Sequence, residues 1–338
     1  MVAALQKEML AAIEEELHHQ VERLDHSPFQ PYHEMLTYHM GWTVEGASAN
    51  TSGKRTRPLM LLLCAACGKQ PYDWHRALPA AAAIELIHNF TLIHDDIQDN
   101  SETRRNRLTV WKKWGVPMGI NAGDGLFSIA NLAIMDLDRD HNQATILKVN
   151  RLLQETCLQL TGGQFMDMSF ESQDVVPLDS YWSMISLKTA NLISTATEIG
   201  AILSGEPDAL IMNYKQFGHY LGLAFQIKDD ILGIWGTESM TGKSISSDLV
   251  SGKKTLPILY GLQKKGLFYN RWVKGQIKSE EVPLLAEQLS KEGAKVNALE
   301  AFDKVNEMTK EQLRFISPEG PAGMALHDLV SQLEERVA

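Results

Sequence analysis

The chain has 338 residues, of which 44% are hydrophobic and 22% are charged, and its formal net charge is −10. A chain of this size and apolar content can bury a large core, whereas its acidic balance opposes a surface for nucleic acid or for an anionic membrane. No run approaches the roughly 18 consecutive apolar residues of a membrane span, so we expect none.

The cysteines and the N-terminal stretch indicate the expected compartment. Cys64, Cys67 and Cys157 are odd in number and predict no disulfide framework. Cys64 and Cys67 lie inside the apolar run LMLLLCAACG, which is typical of buried helical cysteines rather than of a metal or redox pair. The N-terminal stretch is rich in glutamate and excludes a secretory signal. We therefore expect a soluble, cytoplasmic protein.

Apolar residues recur every three or four positions along the chain, which predicts helices and almost no strands. In chain order, the predicted helices lie at residues 3–24, 30–43, 54–67, 75–100, 108–114, 121–138, 143–170, 178–203, 207–235, 254–265, 279–291, 295–314 and 321–336. Residues 236–254 lack periodicity and predict a mobile loop. No linker-like segment interrupts the pattern. The predicted fold class is therefore all-α, with residues 1–338 forming a single domain.

The predicted helix 75–100 ends in an aspartate cluster within the segment LIHDDIQDN. Asp95 and Asp99 are four residues apart and project from one helix face, in line with Ile84 and His88. Carboxylate oxygens are the ligands that Mg²⁺ prefers. Asp95 and Asp99 are thus the predicted direct metal ligands. Asp96 is turned by about 100° and is expected to support them.

A second cluster, Asp229 and Asp230, lies in FQIKDDILG within the predicted helix 207–235. Gln226 lies one turn before Asp229 on the same face. Both aspartates are predicted to belong to the metal site, with an ordinary polar helix residue as the alternative for Asp230. Mg²⁺ usually takes one or two carboxylates and completes its shell with water and phosphate oxygens. Two facing clusters therefore predict a phosphorylated substrate between them.

Basic residues recur in segments separate from the aspartates, as a phosphate site requires. These segments are GKRTRP at 53–58, Arg104-Arg105, Lys188-Thr189, Gly242-Lys243 and Gly252-Lys253-Lys254.

Together these segments resemble the trans-isoprenyl diphosphate synthases, or polyprenyl synthetases. The resemblance rests on seven motifs that follow the family order across residues 53–257: GKRTRP, DDIQDNSETRR, NAGD, GGQFMD, Lys188-Thr189, FQIKDDIL and GKSISSDLVSGKKTLP. It implies an isoprenoid-synthase helical bundle whose deep central cavity lies between the two aspartate clusters. It also implies a homodimer formed through helices around residues 121–165.

The resemblance implies a Mg²⁺-dependent prenyltransferase that joins isopentenyl diphosphate head to tail with allylic diphosphates, with three Mg²⁺ ions bound. Ionisation of the allylic diphosphate, condensation and elimination of a proton are the implied steps. Two other functions stay open. One is a terpene cyclase or an irregular prenyl coupler on the same scaffold, and the other is a catalytically silent regulatory subunit. A cyclase has little use for a second diphosphate pocket, and a silent subunit is expected to lose aspartates of the first cluster.

Individual roles follow from the same resemblance. The residues implied to hold the metal-free diphosphate of isopentenyl diphosphate are Lys54, Arg57, His88 and Arg105, with a satisfied core histidine as the alternative for His88. Those implied to hold the allylic diphosphate are Arg104, Lys188, Lys243 and Lys253. Thr189, Gln226 and the carbonyl of Lys188 are implied to stabilise the allylic cation. Asp167 is expected to orient Lys188, with a helix-surface role as the rival, and Arg55 and Lys254 are expected to face solvent.

Several positions depart from the family pattern or bear on product length. Gly233 stands where the second motif usually has a third carboxylate, which implies a weaker outer shell around the metal. Asn106 replaces a usual glycine, and Trp111 replaces a commonly polar residue. Phe90, five residues before the first aspartate, implies a short pocket and a C20 geranylgeranyl product, with C15 farnesyl as the next candidate.

Overall fold

The structure is a computed structural model that describes residues 1–42, 53–68, 71–236 and 247–335. It divides into two compact units, each assembled from separate stretches of the chain. The first unit comprises Met1–Glu155, Thr195–Tyr214 and Ser317–Leu326. The second unit comprises Thr156–Ser194, Lys215–Ile316 and His327–Ala338. The predicted single-domain organisation and the predicted central cavity stay predictions.

Helices follow one another along both units. In chain order they are α1 (Val2–Val21), α2 (Gln30–Met40), α3 (Thr56–Ala66), α4 (Leu78–Gln98), α5 (Val110–Trp114), α6 (Val116–Met135), α7 (Gln143–Glu171), α8 (Leu178–Ile185), α9 (Asn191–Leu203), α10 (Asp208–Trp235), α11 (Ser247–Ser251), α12 (Leu256–Lys264), α13 (Leu267–Trp272), α14 (Val282–Lys291), α15 (Ala294–Ile316) and α16 (Gly320–Glu335). A π-helical turn, Ser186–Ala190, joins α8 to α9. The strands β1 (Thr103–Arg104) and β2 (Arg107–Leu108) pair as an antiparallel hairpin.

Helix α4 is the buried centre of the first unit. It packs against α1, α3 and, most extensively, α6. Residues 80–87 are all buried, as expected for a helix segment that is apolar almost all round. Farther along, His88, Thr91, Asp95 and Asp99 are only partly buried, and their spacings of three and four residues place them in one stripe. The predicted first metal motif therefore lies at the open edge of a buried helix.

The second unit has a core that fixes the end of α10. Ile234 of α10 packs in one buried cluster with Leu249 of α11, Ile258 of α12 and Phe268 of α13. Trp235 adds a hydrogen bond from its indole N–H to the carbonyl of Ala286, at 3.1 Å. These contacts hold the short helices α11 and α13 beside the end of α10.

The all-α prediction is confirmed, because the structure is 81% helical and the hairpin is the one sheet among the described residues. Helix α6 begins at Val116, earlier than predicted, because Pro117 lies in the first turn, where its missing N–H costs no hydrogen bond. The hairpin, α11 and α13 were not predicted, since each is too short to show a period. No described helix has the length and hydropathy needed to cross a membrane.

Candidate active site

The carboxylates of the first aspartate motif differ in burial: Asp96 is buried, whereas Asp95 and Asp99 are only partly buried. Asp96 is 2% exposed, and the Nε and Nη2 atoms of Arg104 each lie 2.9 Å from its Oδ1. Burial raises the pKa of Asp96, an effect that the Arg104 hydrogen bonds oppose. Asp95 and Asp99 lie instead on the partly buried stripe of α4. Asp96 thus positions Arg104, whereas the role of Asp95 and Asp99 as metal ligands stays a prediction.

The hairpin after this motif sets the position of Arg105. Its two turn residues, Arg105 and Asn106, have φ of 51° and 60°, the left-handed conformation of a tight hairpin turn. Asn adopts this conformation more readily than most residues, so Asn106 serves where the family usually has glycine. The Arg105 guanidinium lies over Gly53, where a Cβ would be 2.7 Å from Nη2. Trp111 closes the hairpin base by donating to the carbonyl of Ser101 at 2.9 Å.

Arg57, His88 and Arg105 form what we call the basic cluster. Nη1 of Arg57 lies 3.2 Å from Nε2 of His88. Burial, together with the guanidinium groups of Arg57 and Arg105, lowers the pKa of His88 well below its usual range. His88 is therefore neutral near pH 7, and its ring nitrogen can accept a hydrogen bond from Arg57. Lys54, three residues before Arg57, is exposed.

Arg55 was expected to face solvent, and the structure shows the opposite. Its side chain is buried, with Nε 2.6 Å from Oε1 of Glu14 and Nη1 2.8 Å from Oε1 of Glu85. Breaking a buried ion pair costs about 3–5 kcal/mol. Arg55 thus ties its segment to α1 and α4, which fixes the backbone between Lys54 and Arg57. The error arose because neither glutamate is near Arg55 in sequence.

The NAGD motif is explained by close packing on α6. A Cβ at Gly123 would lie 3.1 Å from Cε1 of His94 and closer to Nε2, and a Cβ at Gly125 would lie 2.8 Å from Cζ of Tyr32. The Tyr32 hydroxyl donates to the carbonyl of Asn121. The glycines therefore let two side chains cross the surface of α6, and this keeps α4 and α6 in close contact.

In the second unit, Lys188 and Thr189 lie in the π-helical turn. Such turns are rare and are frequent at functional sites. Two glycines allow helices to approach it: a Cβ at Gly163 of α7 would lie 2.8 Å from Cα of Lys188, and one at Gly222 of α10 would lie 2.5 Å from Cα of Ala190. The predicted motif GGQFMD thus provides, through Gly163, the close approach that holds Lys188 in place.

Asp167, in the next turn of the same motif, contacts Lys188 as predicted. Nζ of Lys188 lies 2.5 Å from Oδ2 of Asp167, and both side chains are about one quarter exposed, at 24% and 25%. A partly exposed lysine held in this way keeps donors for an incoming anion. The contact orients Lys188 without removing it from solvent.

Asp230 is placed differently from the metal ligand that was predicted. It is 3% exposed, and its carboxylate accepts hydrogen bonds from Tyr181 at 2.6 Å, Gln226 at 2.8 Å and the backbone N–H of Leu256 at 2.9 Å. Burial raises its pKa to about 7, although these donors act to lower it. Its neighbour Asp229 is exposed. The side chains of these adjacent residues project from α10 about 100° apart, one toward the core and the other toward solvent.

Gln226 connects Asp230 to the π-helical turn. Its amide nitrogen donates to Asp230, and its amide oxygen accepts from the hydroxyl of Thr189 at 2.7 Å. With the hydroxyl hydrogen directed at Gln226, the lone pairs of the Thr189 oxygen are left to face other groups. Buried Asp230 thus fixes the orientation of both predicted dipoles.

The lysines after the second motif are partly described. Lys254, expected to face solvent, donates instead to the carbonyl of Phe170 at 2.6 Å and so caps the last turn of α7. The backbone N–H of Lys253 donates to the carbonyl of Asp248 at 3.1 Å. Lys243 lies outside the described residues, as does much of the predicted loop. The described part of that loop includes the helix α11.

The carboxylates fit Mg²⁺. Among the described residues, no group of three or more His, Cys, Asp or Glu side chains is placed to hold a metal by itself. Mg²⁺ binds in proteins through one or two carboxylates and completes its octahedron with water and substrate phosphate oxygens. Asp95 and Asp99 offer such oxygens in the first unit and Asp229 offers them in the second, all on partly buried or exposed faces.

Sequence reasoning missed four residues that shape these features: Glu85, Tyr181, Gly222 and Asp248. Glu85 gave a signal, because a glutamate inside the apolar run AAAAIELI requires a buried partner. Tyr181 and Gly222 gave none, because their partners are distant in sequence. Asp248 contacts the position of Gly233, and that contact is visible only in the fold.

Comparisons with known proteins identify the family of this chain. A family model described as polyprenyl synthetase matches residues 43–284. The chain is 41% identical over 235 residues to (2E,6E)-farnesyl diphosphate synthase of Mycobacterium tuberculosis, a match covering 69% of this chain and 64% of the relative. It is 38% identical over 285 residues to geranylgeranyl pyrophosphate synthase of Geoglobus acetivorans, and the match covers 84% of this chain and 87% of that relative. The chain thus spans less than two thirds of the mycobacterial relative.

Solved structures extend the similarity to nearly the whole chain. A polyprenyl synthetase from Streptomyces coelicolor A3(2) has a TM-score of 0.87 and 30% identity, with 98% of this chain and 99% of that chain covered. A geranylgeranyl pyrophosphate synthetase from Pyrococcus horikoshii has a TM-score of 0.87 and 31% identity, with 99% of this chain and 98% of that chain covered. The predicted isoprenoid-synthase fold is confirmed. Since the family model matches well over half of its residues, the chain belongs to the polyprenyl synthetase family.

Proposed function

We propose that this chain is a Mg²⁺-dependent prenyltransferase that condenses isopentenyl diphosphate head to tail with allylic diphosphates. The observation that supports the proposal is that one stripe of α4 carries both carboxylates and a histidine that contacts a basic side chain. Asp95 and Asp99 suit a metal-bound diphosphate, and the basic cluster, which includes His88 of the same α4 stripe, suits a metal-free one. Relatives named as farnesyl and geranylgeranyl diphosphate synthases support it.

For the allylic diphosphate, Asp95 and Asp99 would bind Mg²⁺ from one motif and Asp229 from the other, with three ions in all. Bound Mg²⁺ would neutralise the negative charge that develops on the departing diphosphate. Lys188, oriented by Asp167, would donate to the same group. The remaining proposed ligands of this diphosphate are Arg104, Lys243 and Lys253.

The allylic cation needs oxygen dipoles and protection from water. Thr189 and Gln226 supply the dipoles, and Asp230 acts as a positioning residue that fixes Gln226. The allylic carbon–oxygen bond breaks first, its electron pair leaving with the diphosphate, and the π electrons of isopentenyl diphosphate then form the new carbon–carbon bond to the allylic cation. A proton then leaves the condensed carbocation, and the released diphosphate can accept it. No protein base is therefore required.

Replacing Lys54 with alanine is expected to raise the Michaelis constant for isopentenyl diphosphate by about 10- to 100-fold, the effect of losing one charge-assisted hydrogen bond. The constant for the allylic diphosphate should stay within about twofold, because Lys54 belongs to the metal-free pocket. Steady-state kinetics with each substrate varied in turn measures both constants. Lys148→Ala, an exposed lysine of the first unit, is the control. An unchanged constant for isopentenyl diphosphate would disprove the assignment.

The main product is proposed to be C20, with C15 as the next candidate. Phe90 is 9% exposed, and its ring meets that of Phe127 on α6 edge to face, with centroids 5.3 Å apart. Removing the Phe90 ring would leave a cavity between α4 and α6. We expect Phe90→Ala to yield longer products than the unmodified protein, and Phe315→Ala, which removes an exposed ring, to yield the same products.

The experiment for both the activity and the product length is incubation with isopentenyl diphosphate, Mg²⁺ and, in turn, C5, C10 and C15 allylic primers. Mass analysis of the dephosphorylated products reads out chain length. Mainly C20 is expected. Products of C30 or more from the unmodified protein would exclude Phe90 as the pocket floor. Failure to elongate any primer would instead favour a cyclase or a silent subunit.

A homodimer is also proposed, through α7. Leu158 and Phe165 are 74% and 72% exposed, and their spacing of seven residues places them on one helix face. Large apolar side chains in such a stripe indicate a protein contact. The double change Leu158→Glu and Phe165→Glu is expected to halve the mass measured by light scattering. The exposed change Val296→Glu should leave the mass unaltered. A monomeric unmodified protein would refute the dimer.

A further inference from the structure

Gly233 occupies a position where a carboxylate is expected. It follows Asp229 by four residues on α10, so the two positions share a face with Cβ sites about 5–6 Å apart. The space beside Gly233 is filled by the side chain of Asp248. A Cβ at Gly233 would lie 3.0 Å from Cγ of Asp248 and closer still to its Oδ2. A carboxylate is therefore present beside position 233, although it comes from α11.

The position of Asp248 is set by its neighbours. Leu249 is 1% exposed and packs with Ile234, the residue that follows Gly233. On the other side, the carbonyl of Asp248 accepts a hydrogen bond from the N–H of Lys253 at 3.1 Å. The core contact thus holds α11 against α10, and the backbone hydrogen bond fixes the turn that follows α11. The Asp248 side chain can be changed without removing any of these contacts.

Asp248 lies close to an aspartate of α10. Asp248 is partly buried, and it adds to the burial that raises the pKa of Asp230. Asp229, which is exposed, precedes Asp230 on α10. This part of the second unit therefore contains three carboxylates, those of Asp229, Asp230 and Asp248. Carboxylates close together repel one another, and a divalent cation relieves that repulsion.

We propose that Asp248 supplies the third carboxylate of the second aspartate motif, and that Gly233 is the residue that makes room for it. The inference rests on the proposed function, because it assigns Asp248 to the Mg²⁺ that Asp229 would hold. It replaces the expectation that Gly233 weakens the metal site. A side chain at position 233 and the carboxylate of Asp248 would occupy the same space. An aspartate at position 233 should therefore be able to replace Asp248 when the Asp248 side chain is removed.

A charge-swap series tests this substitution. The variants are Asp248→Ala, Asp248→Asn, Gly233→Asp and the double variant Gly233→Asp with Asp248→Ala, with Asp303→Ala of exposed surface on α15 as the control. Isothermal titration of inorganic diphosphate at increasing Mg²⁺ concentration gives the Mg²⁺ concentration for half-maximal binding. This readout is independent of catalysis. Thermal unfolding checks that each variant is folded.

Both changes at Asp248 are expected to raise the required Mg²⁺ concentration by about 10- to 100-fold, the usual cost of losing a supporting carboxylate. Gly233→Asp alone should also raise it, because its side chain collides with Asp248. The double variant should return to within about threefold of the unmodified protein. Asp248→Asn keeps the shape of the side chain, so it reports on charge even if Asp248→Ala is unstable.

Two results would overturn the inference. One is an unchanged Mg²⁺ requirement in Asp248→Asn, and the other is a folded double variant that binds no better than Asp248→Ala. Failure of the proposed function is recognised separately. In that case the unmodified protein would form no elongated product in the primer assay, whatever its Mg²⁺-dependent binding of diphosphate.

Discussion

Replacement of Asp95 or Asp99 by alanine is expected to lower the condensation rate by about three orders of magnitude or more, the scale of metal-based charge stabilisation. Both carboxylates lie on the partly buried stripe of α4. Loss of either would remove a hard oxygen ligand just where the leaving diphosphate becomes negative. The measurement is the turnover number at saturating substrates over a range of Mg²⁺ concentrations.

Asp96 provides an internal comparison for this prediction. Because its carboxylate binds Arg104, Asp96→Asn should act through the position of that arginine and lower the rate less than Asp95→Ala does. Asp208→Ala, which alters an exposed carboxylate in the first turn of α10, should have no effect. Retention of more than about a tenth of the rate by folded Asp95→Ala and Asp99→Ala would contradict metal binding by this motif.

Replacement of Lys188 by alanine is expected to reduce the turnover number by about 10²- to 10³-fold, the usual effect of removing one donor to a developing anion. The π-helical turn holds Lys188 between Gly163 and Asp167, so its ammonium group is positioned before substrate binds. Single-turnover formation of product measures the chemical step without product release.

Variants of Asp167, the ion-pair partner of Lys188, distinguish the positioning of the lysine from its direct contact with substrate. Asp167→Asn should lower the same rate by a smaller factor, because the lysine stays but is held less firmly. Lys188→Arg keeps the charge and should recover part of the activity. Lys291→Ala, an exposed lysine on α14, is the control. A single-turnover rate that is unchanged in Lys188→Ala would show that Lys188 does not contact the leaving group.

The helices were largely predictable because a buried helix imposes a period on its sequence over many turns. Helix α4 illustrates this: its apolar run and the stripe from His88 to Asp99 are both visible in the sequence. The strands of the hairpin have two residues each, so they are too short to show alternation. Helix α13 has six residues, and its burial depends on Phe268, whose neighbours come from other elements.

Site residues were predictable by type, but their directions were not. Asp229 and Asp230 are indistinguishable in the sequence. In the structure, Asp230 is buried because it accepts hydrogen bonds from Tyr181 and from the backbone at the start of α12. Arg55 looks as suitable for phosphate as Arg57, but Glu14 and Glu85 neutralise it. In each case the residue that determines the burial of the side chain lies in a distant segment. A helical wheel shows which residues share a face, but it does not show which other element packs against that face.

The most direct test of the two-pocket account is calorimetric titration of each diphosphate in the presence of EDTA and again with Mg²⁺. Isopentenyl diphosphate is expected to bind without metal, because Lys54, Arg57 and Arg105 carry the positive charge that its diphosphate needs. A non-ionising thiolo analogue of an allylic diphosphate should bind only after Mg²⁺ is added. An isopentenyl diphosphate that requires Mg²⁺, or an allylic analogue that binds equally well without it, would contradict the account.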